Sequence, residues 1–198
     1  MFTKLTLIFG SKTKAQEIVL LLQNAKEVVR QGFFASELPK VEPFCTEHNL
    51  FLVKSKFKIL FADESVYSNK GIRIPEEDKR PGMYLVYISK DEQKAWLASY
   101  YELVQNNKDL GLVLGYPQCC VEYFCKNFNA QNANLEMPSK NPYTNLSKRD
   151  RDFVILSHFP CNPECRGSIK LGEKYLQAIY AFDKDWAREL LTNLQAAK

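Results

Sequence analysis

Four cysteines held in two short segments, Gly115-Tyr-Pro-Gln-Cys-Cys120 and His158-Phe-Pro-Cys-Asn-Pro-Glu-Cys165, constrain this chain more than any other feature. What they imply depends on the redox compartment. The opening Met1–Gly10 mixes polar and apolar residues and lacks the uninterrupted run of roughly 7–15 apolar residues that a secretory leader needs. No window approaches the roughly 18 apolar residues of a membrane span. The expectation is therefore a cytoplasmic protein that does not insert into a membrane. In a reducing compartment, six cysteines point to metal binding, thiol redox chemistry or core packing rather than to three disulfides.

Proline suits the first position of a helix, where its missing N–H would have no partner anyway. Pro117 is thus expected to open a helix carrying Cys119 and Cys120 in its first turn, with Gly115 supplying the tight approach. In the second segment, each residue before a proline is pushed out of helical geometry. Phe159 should be extended, and Asn162 should cap a helix that starts at Pro163 and holds Glu164 and Cys165 in its first turn. Unpaired N–H groups and the positive end of the dipole at two helix starts would favour thiolates. The candidate ligand set is Cys119, Cys120, His158, Cys161 and Cys165. Cys125 lies about 140° round the helix from Cys120 and is read, with Cys45, as a packing residue.

Together, Gly115-Tyr-Pro-x-Cys-Cys-x-x-Tyr-Phe124 and His158-x-Pro-Cys-x-x-x-Cys-x-x-Ser168 resemble a prokaryotic, largely archaeal family labelled domain of unknown function 483. The resemblance covers roughly the C-terminal half. It implies that these residues matter, and it implies no substrate or reaction. The set suits zinc or an iron–sulfur cluster, since both accept thiolates and an occasional imidazole. Two adjacent cysteines look crowded on one tetrahedral zinc, and a cluster spreads its ligands over several irons, which tilts the reading toward iron–sulfur. A coordination position left open would make the site catalytic. Tyr116, Glu122, Glu164, Arg166 and Ser168 stand close enough in sequence to serve it.

Other constellations are missing. There is no phosphate-binding glycine-rich loop, no H-E-x-x-H and no G-x-S-x-G, and two histidines are too few for a multi-histidine site. A net charge of +4 is too small to argue for nucleic acid by itself. Lys54, Lys56 and Lys58, with Phe51 and Phe57 nearby, leave RNA as a weakly supported partner. Three classes of function stay open: a metal- or cluster-dependent enzyme or accessory protein of unknown substrate, an RNA- or protein-binding module with structural zinc, and a thiol redox protein.

Patterning along the rest of the chain predicts an α+β fold. An N-terminal mixed α/β portion with a small sheet (1–108) would precede a helical portion carrying the Cys/His site (109–198), the two possibly forming one continuous domain. Phe2–Phe9 reads as a strand from its alternation, and Lys12–Arg30 as an amphipathic helix. Leu50–Ala62 reads as an exposed or edge strand, Met83–Ser89 as a strand, and Ser68–Gly71 and Arg80–Gly82 as turns. Asp91 should cap a helix running to about Asn107. Asp109–Gly115 reads as an apolar connection and Asn129–Asn145 as an exposed loop. Ser168–Ala197 reads as one or two helices, with Asp183 a possible break.

Overall fold

The computed structural model describes residues 2–61 and 71–195. The fold is α+β, with eight helices and one four-stranded antiparallel sheet among these residues. The chain divides into two compact units with interleaved membership: residues 1–26, 116–127 and 135–198 form one, and residues 27–115 and 128–134 the other. The first 26 residues thus group with the cysteine-bearing half.

The second unit contains the sheet. Strands β1 (Val28–Phe33), β2 (Phe51–Phe61), β3 (Gly71–Pro75) and β4 (Met83–Ser89) lie in the order β1-β4-β2-β3. Strand β4 has the predicted bounds, and its residues from Tyr84 to Ser89 are all buried. Strand β2, expected at an edge, lies between β4 and β3. The interleaved lysines misled because long stems can bury while their heads reach polar groups. The Lys54 ammonium pairs with Glu76 at 2.5 Å, and buried Lys58 donates to the carbonyls of Asp78 and Arg80. Only Lys56 of the three is exposed. The register of β2 on β4 slips between Lys54 and Lys58. There the Ser55 hydroxyl donates to Phe57 O and accepts from Leu85 N–H, replacing ladder bonds that the bulge removes. Helix α3 (Leu38–Glu47) buries Val41, Phe44 and Cys45. Asp91 caps α4 (Glu92–Leu103) as expected, but α4 stops at Leu103. Left-handed Gln105 ends that helical run, and the Asn106 side chain caps a separate short helix, α5 (Asn107–Val113), in the stretch read as an apolar connection. The Ser68–Gly71 turn expectation falls largely outside the described residues, as does Ala62.

The first unit is helical. Phe2–Phe9 forms helix α1, not a strand. Over eight residues the two periods are hard to tell apart, and packing decides: Phe2, Leu5 and Phe9 bury at helical spacing, with Phe2 stacked on Trp186 at 4.9 Å. Helix α2 spans Lys12–Leu22 and ends well short of Arg30. Asn24 adopts a left-handed φ of 56°, a helix-stopping role for asparagine, and Val28 and Val29 pass to β1. Ser11 caps α2, and the Asp152 carboxylate accepts from Lys12 N–H and Thr13 N–H at the same helix start. Helices α6 (Gln118–Asn127), α7 (Arg166–Phe182) and α8 (Lys184–Gln195) complete the unit, with Asp183 breaking the last two as expected. The stretch 135–145 is irregular but not simply exposed. Leu135, Thr144 and Asn145 are buried, and the Thr144 hydroxyl donates to Pro163 O at 2.6 Å. No helix among the described residues is long and apolar enough to cross a membrane.

Candidate metal centre

The first pair of cysteines is delivered by the start of α6. Gly115 has φ +78° with open space around a Cβ position, so glycine serves backbone conformation there rather than close packing. The Pro117 carbonyl accepts from Cys120 N–H and Val121 N–H at 2.9 and 3.0 Å, setting Cys119 and Cys120 in the first turn. Cys119 is exposed and Cys120 buried.

The second pair arrives differently from the sequence expectation. Asn162 to Cys165 form a turn instead of a helical first turn: Asn162 Oδ1 accepts from Glu164 N–H at 3.0 Å and Asn162 O from Cys165 N–H at 3.2 Å. Helix α7 begins at Arg166, and Cys165 is its extended N-cap. The restrictions that Pro160 and Pro163 place on Phe159 and Asn162 therefore set a tight loop before the helix. Gly167 permits the two helix starts to meet. A Cβ on Gly167 would lie 3.0 Å from Pro117 Cβ and 3.9 Å from Cys119 Sγ.

All four sulfurs converge. Sγ of Cys119 lies 3.9 Å from that of Cys120 and 3.7 Å from that of Cys165, and the Cys120–Cys165 separation is 3.5 Å. With Cys161 included, every pair is within 4.8 Å, and the four form a group that could hold a metal ion. Donors already aim at these sulfurs. Cys161 N–H points at Cys120 Sγ at 3.4 Å, the Ser168 hydroxyl is 3.2 Å from the same sulfur, and Asn162 Nδ2 donates to Cys161 Sγ at 3.4 Å.

The electrostatics suit a cation. Burial works against ionising Cys165, but hydrogen bonds from Ser168, Cys120 and Cys161 outweigh it and bring its pKa down to about 6. Burial pushes the Cys120 thiol well up, and pushes Cys161 up to about 11 with its sulfur neighbours adding to the effect. One thiolate forms readily, and burial together with neighbouring sulfurs holds Cys120 and Cys161 protonated. A bound cation reverses that balance.

His158 does not join the sulfurs. It is buried, and its Nε2 is 2.9 Å from Ser168 Oγ. Burial first, then the charges of Lys26 and Arg149, lower its pKa to about 3, so the ring is neutral at pH 7. Beside a Cys120 thiolate, which can only accept, the Ser168 hydroxyl is the donor, and the imidazole then donates Nε2–H to Ser168 Oγ. Its Nδ1 is buried with no hydrogen-bond partner among the described residues. Ser168 thus bridges an imidazole and a thiol.

The other nearby groups are dispersed. The Tyr116 ring lies tilted against His158, centroids 4.9 Å apart, and its hydroxyl hydrogen-bonds Ser157 Oγ at 3.2 Å. Glu122 accepts from Gln118 Nε2 at the surface, and Glu164 from Asn141 Nδ2 at 3.5 Å. His48 belongs to the sheet-bearing unit, where it caps α3 and stacks on Phe44. Cys45 is buried as expected, and burial then Glu42 push its thiol up to about 12. Cys125 is exposed, which corrects its reading as a packing residue, and it stands outside the group of four sulfurs.

Sequence reading missed a buried ion pair behind His158. Lys26 Nζ donates to Glu17 and, at 3.0 Å, to Ser157 Oγ, with its ammonium 5.3 Å from the Tyr116 ring centroid. The two side chains are 1% and 6% exposed. Burial lowers the Lys26 pKa, but the Glu17 charge, Tyr116, Tyr175 and the Glu17 hydrogen bond together raise it more, so the ammonium persists. Nothing in a Glu and a Lys nine residues apart, at opposite ends of an apolar run, signals their meeting. No family profile, curated protein or solved structure matches the chain.

Proposed function

We propose that Cys119, Cys120, Cys161 and Cys165 hold one tetrahedral ion, zinc in the first instance, as a structural staple of the helical unit. The observation that carries this reading is the set of sulfur–sulfur separations. Zn–S bonds of about 2.3 Å place the sulfurs of a regular tetrahedron about 3.8 Å apart, and the separations among Cys119, Cys120 and Cys165 run from 3.5 to 3.9 Å. Thiolates on different irons of a cluster are spread by the iron–iron distance and by bonds that splay outward. The compact group therefore favours a single ion over the iron–sulfur alternative, and adjacent cysteines reach two corners of one tetrahedron without crowding. Four thiolates leave no open position, which favours a stapling role over a catalytic one. The resemblance through Gly115–Phe124 and His158–Ser168 supports the same residues and brings no reaction with it.

The ion would tie the α6 start, the 161–165 turn and the α7 start, segments otherwise joined by irregular chain. Metal analysis of protein purified without added metal tests this, together with unfolding in the presence of a chelator. One zinc per chain and loss of helical signal on chelation are expected. Loss of zinc with no change in unfolding would contradict a staple, and absorption from a bound cluster would contradict a single ion.

A second reading, a dithiol redox protein, draws on the exposure of Cys119 and the lowered pKa of Cys165. It predicts a reversible disulfide within the metal-free group, and stoichiometric metal in the native protein would dismiss it.

A further inference from the structure

Helix α4 presents its faces in the reverse of the usual order. A surface helix buries its large apolar side chains and exposes its charges. Here Ala95, Ala98 and Glu102 face the sheet, with Glu102 receiving Arg30 of β1 and Arg73 of β3. The large side chains point outward instead. Trp96 is 54% exposed and Tyr100 57%, and Leu97, Leu103 and Val104 of the same stretch, with Leu112 of α5, are at least 42% exposed.

Aromatic residues present about 150–250 Å² each. Six large side chains exposed by about half therefore leave roughly 500–600 Å² of apolar surface, at the top of the range found on monomers. A standard interface takes about 800 Å² from each partner, so this stripe would form most of one side. Trp96 and Tyr100 give it the aromatic enrichment of an interface centre, and its exposed large side chains carry no charge.

The charges at its two ends suggest what covers it. Exposed Glu92 stands in the first turn of α4, and exposed Lys108, of opposite sign, stands in the first turn of α5, which follows the other end of α4. Neither forms an ion pair among the described residues. A twofold axis near Tyr100 brings each end of the stripe against the opposite end of its copy, setting Glu92 toward Lys108 twice. We propose that this face pairs with the same face of a second copy of this chain, α4 antiparallel to α4, in an isologous dimer.

Light scattering on the eluting full-length, metal-loaded chain, from micromolar to hundred-micromolar concentration, tests the proposal. The wild type is expected to reach the dimer mass. Trp96→Glu, a change at an exposed position carried twice per dimer, should raise the dissociation constant at least about 100-fold. Glu92→Lys or Lys108→Glu alone should weaken the dimer about tenfold, and the double exchange should restore it. A wild type that stays monomeric throughout overturns the proposal and leaves the face to a different partner. A dimer that survives Trp96→Glu, or a double exchange no better than either single change, overturns it too. Metal content read on the same samples is independent of the outcome, because every substitution lies in the sheet-bearing unit.

Discussion

Ser168→Ala separates the two roles assigned to one buried hydroxyl. Ser168 is fully buried, 3.2 Å from Cys120 Sγ and 2.9 Å from His158 Nε2. Removing the hydroxyl deprives the Cys120 thiolate of a donor, and losses of this kind next to a metal ligand cost about 10–100-fold in metal affinity. It also strips the Nε2 partner from an imidazole whose Nδ1 has none among the described residues. Leaving that buried ring unsatisfied costs about 1–3 kcal/mol of stability. The double change Ser168→Ala with His158→Phe removes the orphaned polar atoms, so stability should return to within about 1 kcal/mol of wild type, while metal affinity stays low. Competition with a chromophoric chelator reads affinity, and urea unfolding followed by circular dichroism reads stability. The reasoning is refuted if Ser168→Ala changes neither quantity, or if His158→Phe restores the affinity, which would make the imidazole rather than the hydroxyl the group that matters to the sulfur.

Three further outcomes follow from the same geometry. Lys26→Met leaves Glu17 buried without its cation and should cost about 3–5 kcal/mol by urea unfolding, whereas Lys26→Met with Glu17→Leu should cost far less. Metal-free protein should show one thiolate step with a midpoint near pH 6, read by ultraviolet thiolate absorbance and abolished in Cys165→Ser. Because this folded-state pKa lies below the unfolded value, the stability it contributes is present above about pH 8.5 and lost as pH falls through 6. Gly167→Val should force α7 away from Pro117, where even a single Cβ would sit at 3.0 Å. Metal affinity should fall at least about tenfold, and an unchanged affinity would show that the helix starts need not touch.

The cysteine centre was legible because its signals are local. Pro117 before two cysteines, and Asn-Pro before a third, fix backbone conformations that the neighbouring chain cannot undo. His158, read as a fifth ligand, stands outside the group of four sulfurs for a reason that sequence cannot carry, since Ser168 reaches its Nε2 from the next helix. Tertiary pairing decided the other misreadings. Lysines on β2 found carbonyls and a carboxylate contributed by the 76–80 connection, so alternating charge marked a central strand. Phe2–Phe9 became helical because Trp186, far along the chain, takes up its apolar face. Asn24 and Asn106 carried helix-stop and helix-start chemistry that apolar periodicity alone passed over.

X-ray absorption at the edge of the native metal tests the central claim most directly. The account predicts a single shell of four sulfurs at about 2.3 Å, with no metal–metal scattering and no nitrogen from His158. A metal–metal vector, a nitrogen in the shell, or fewer than four sulfurs would contradict it.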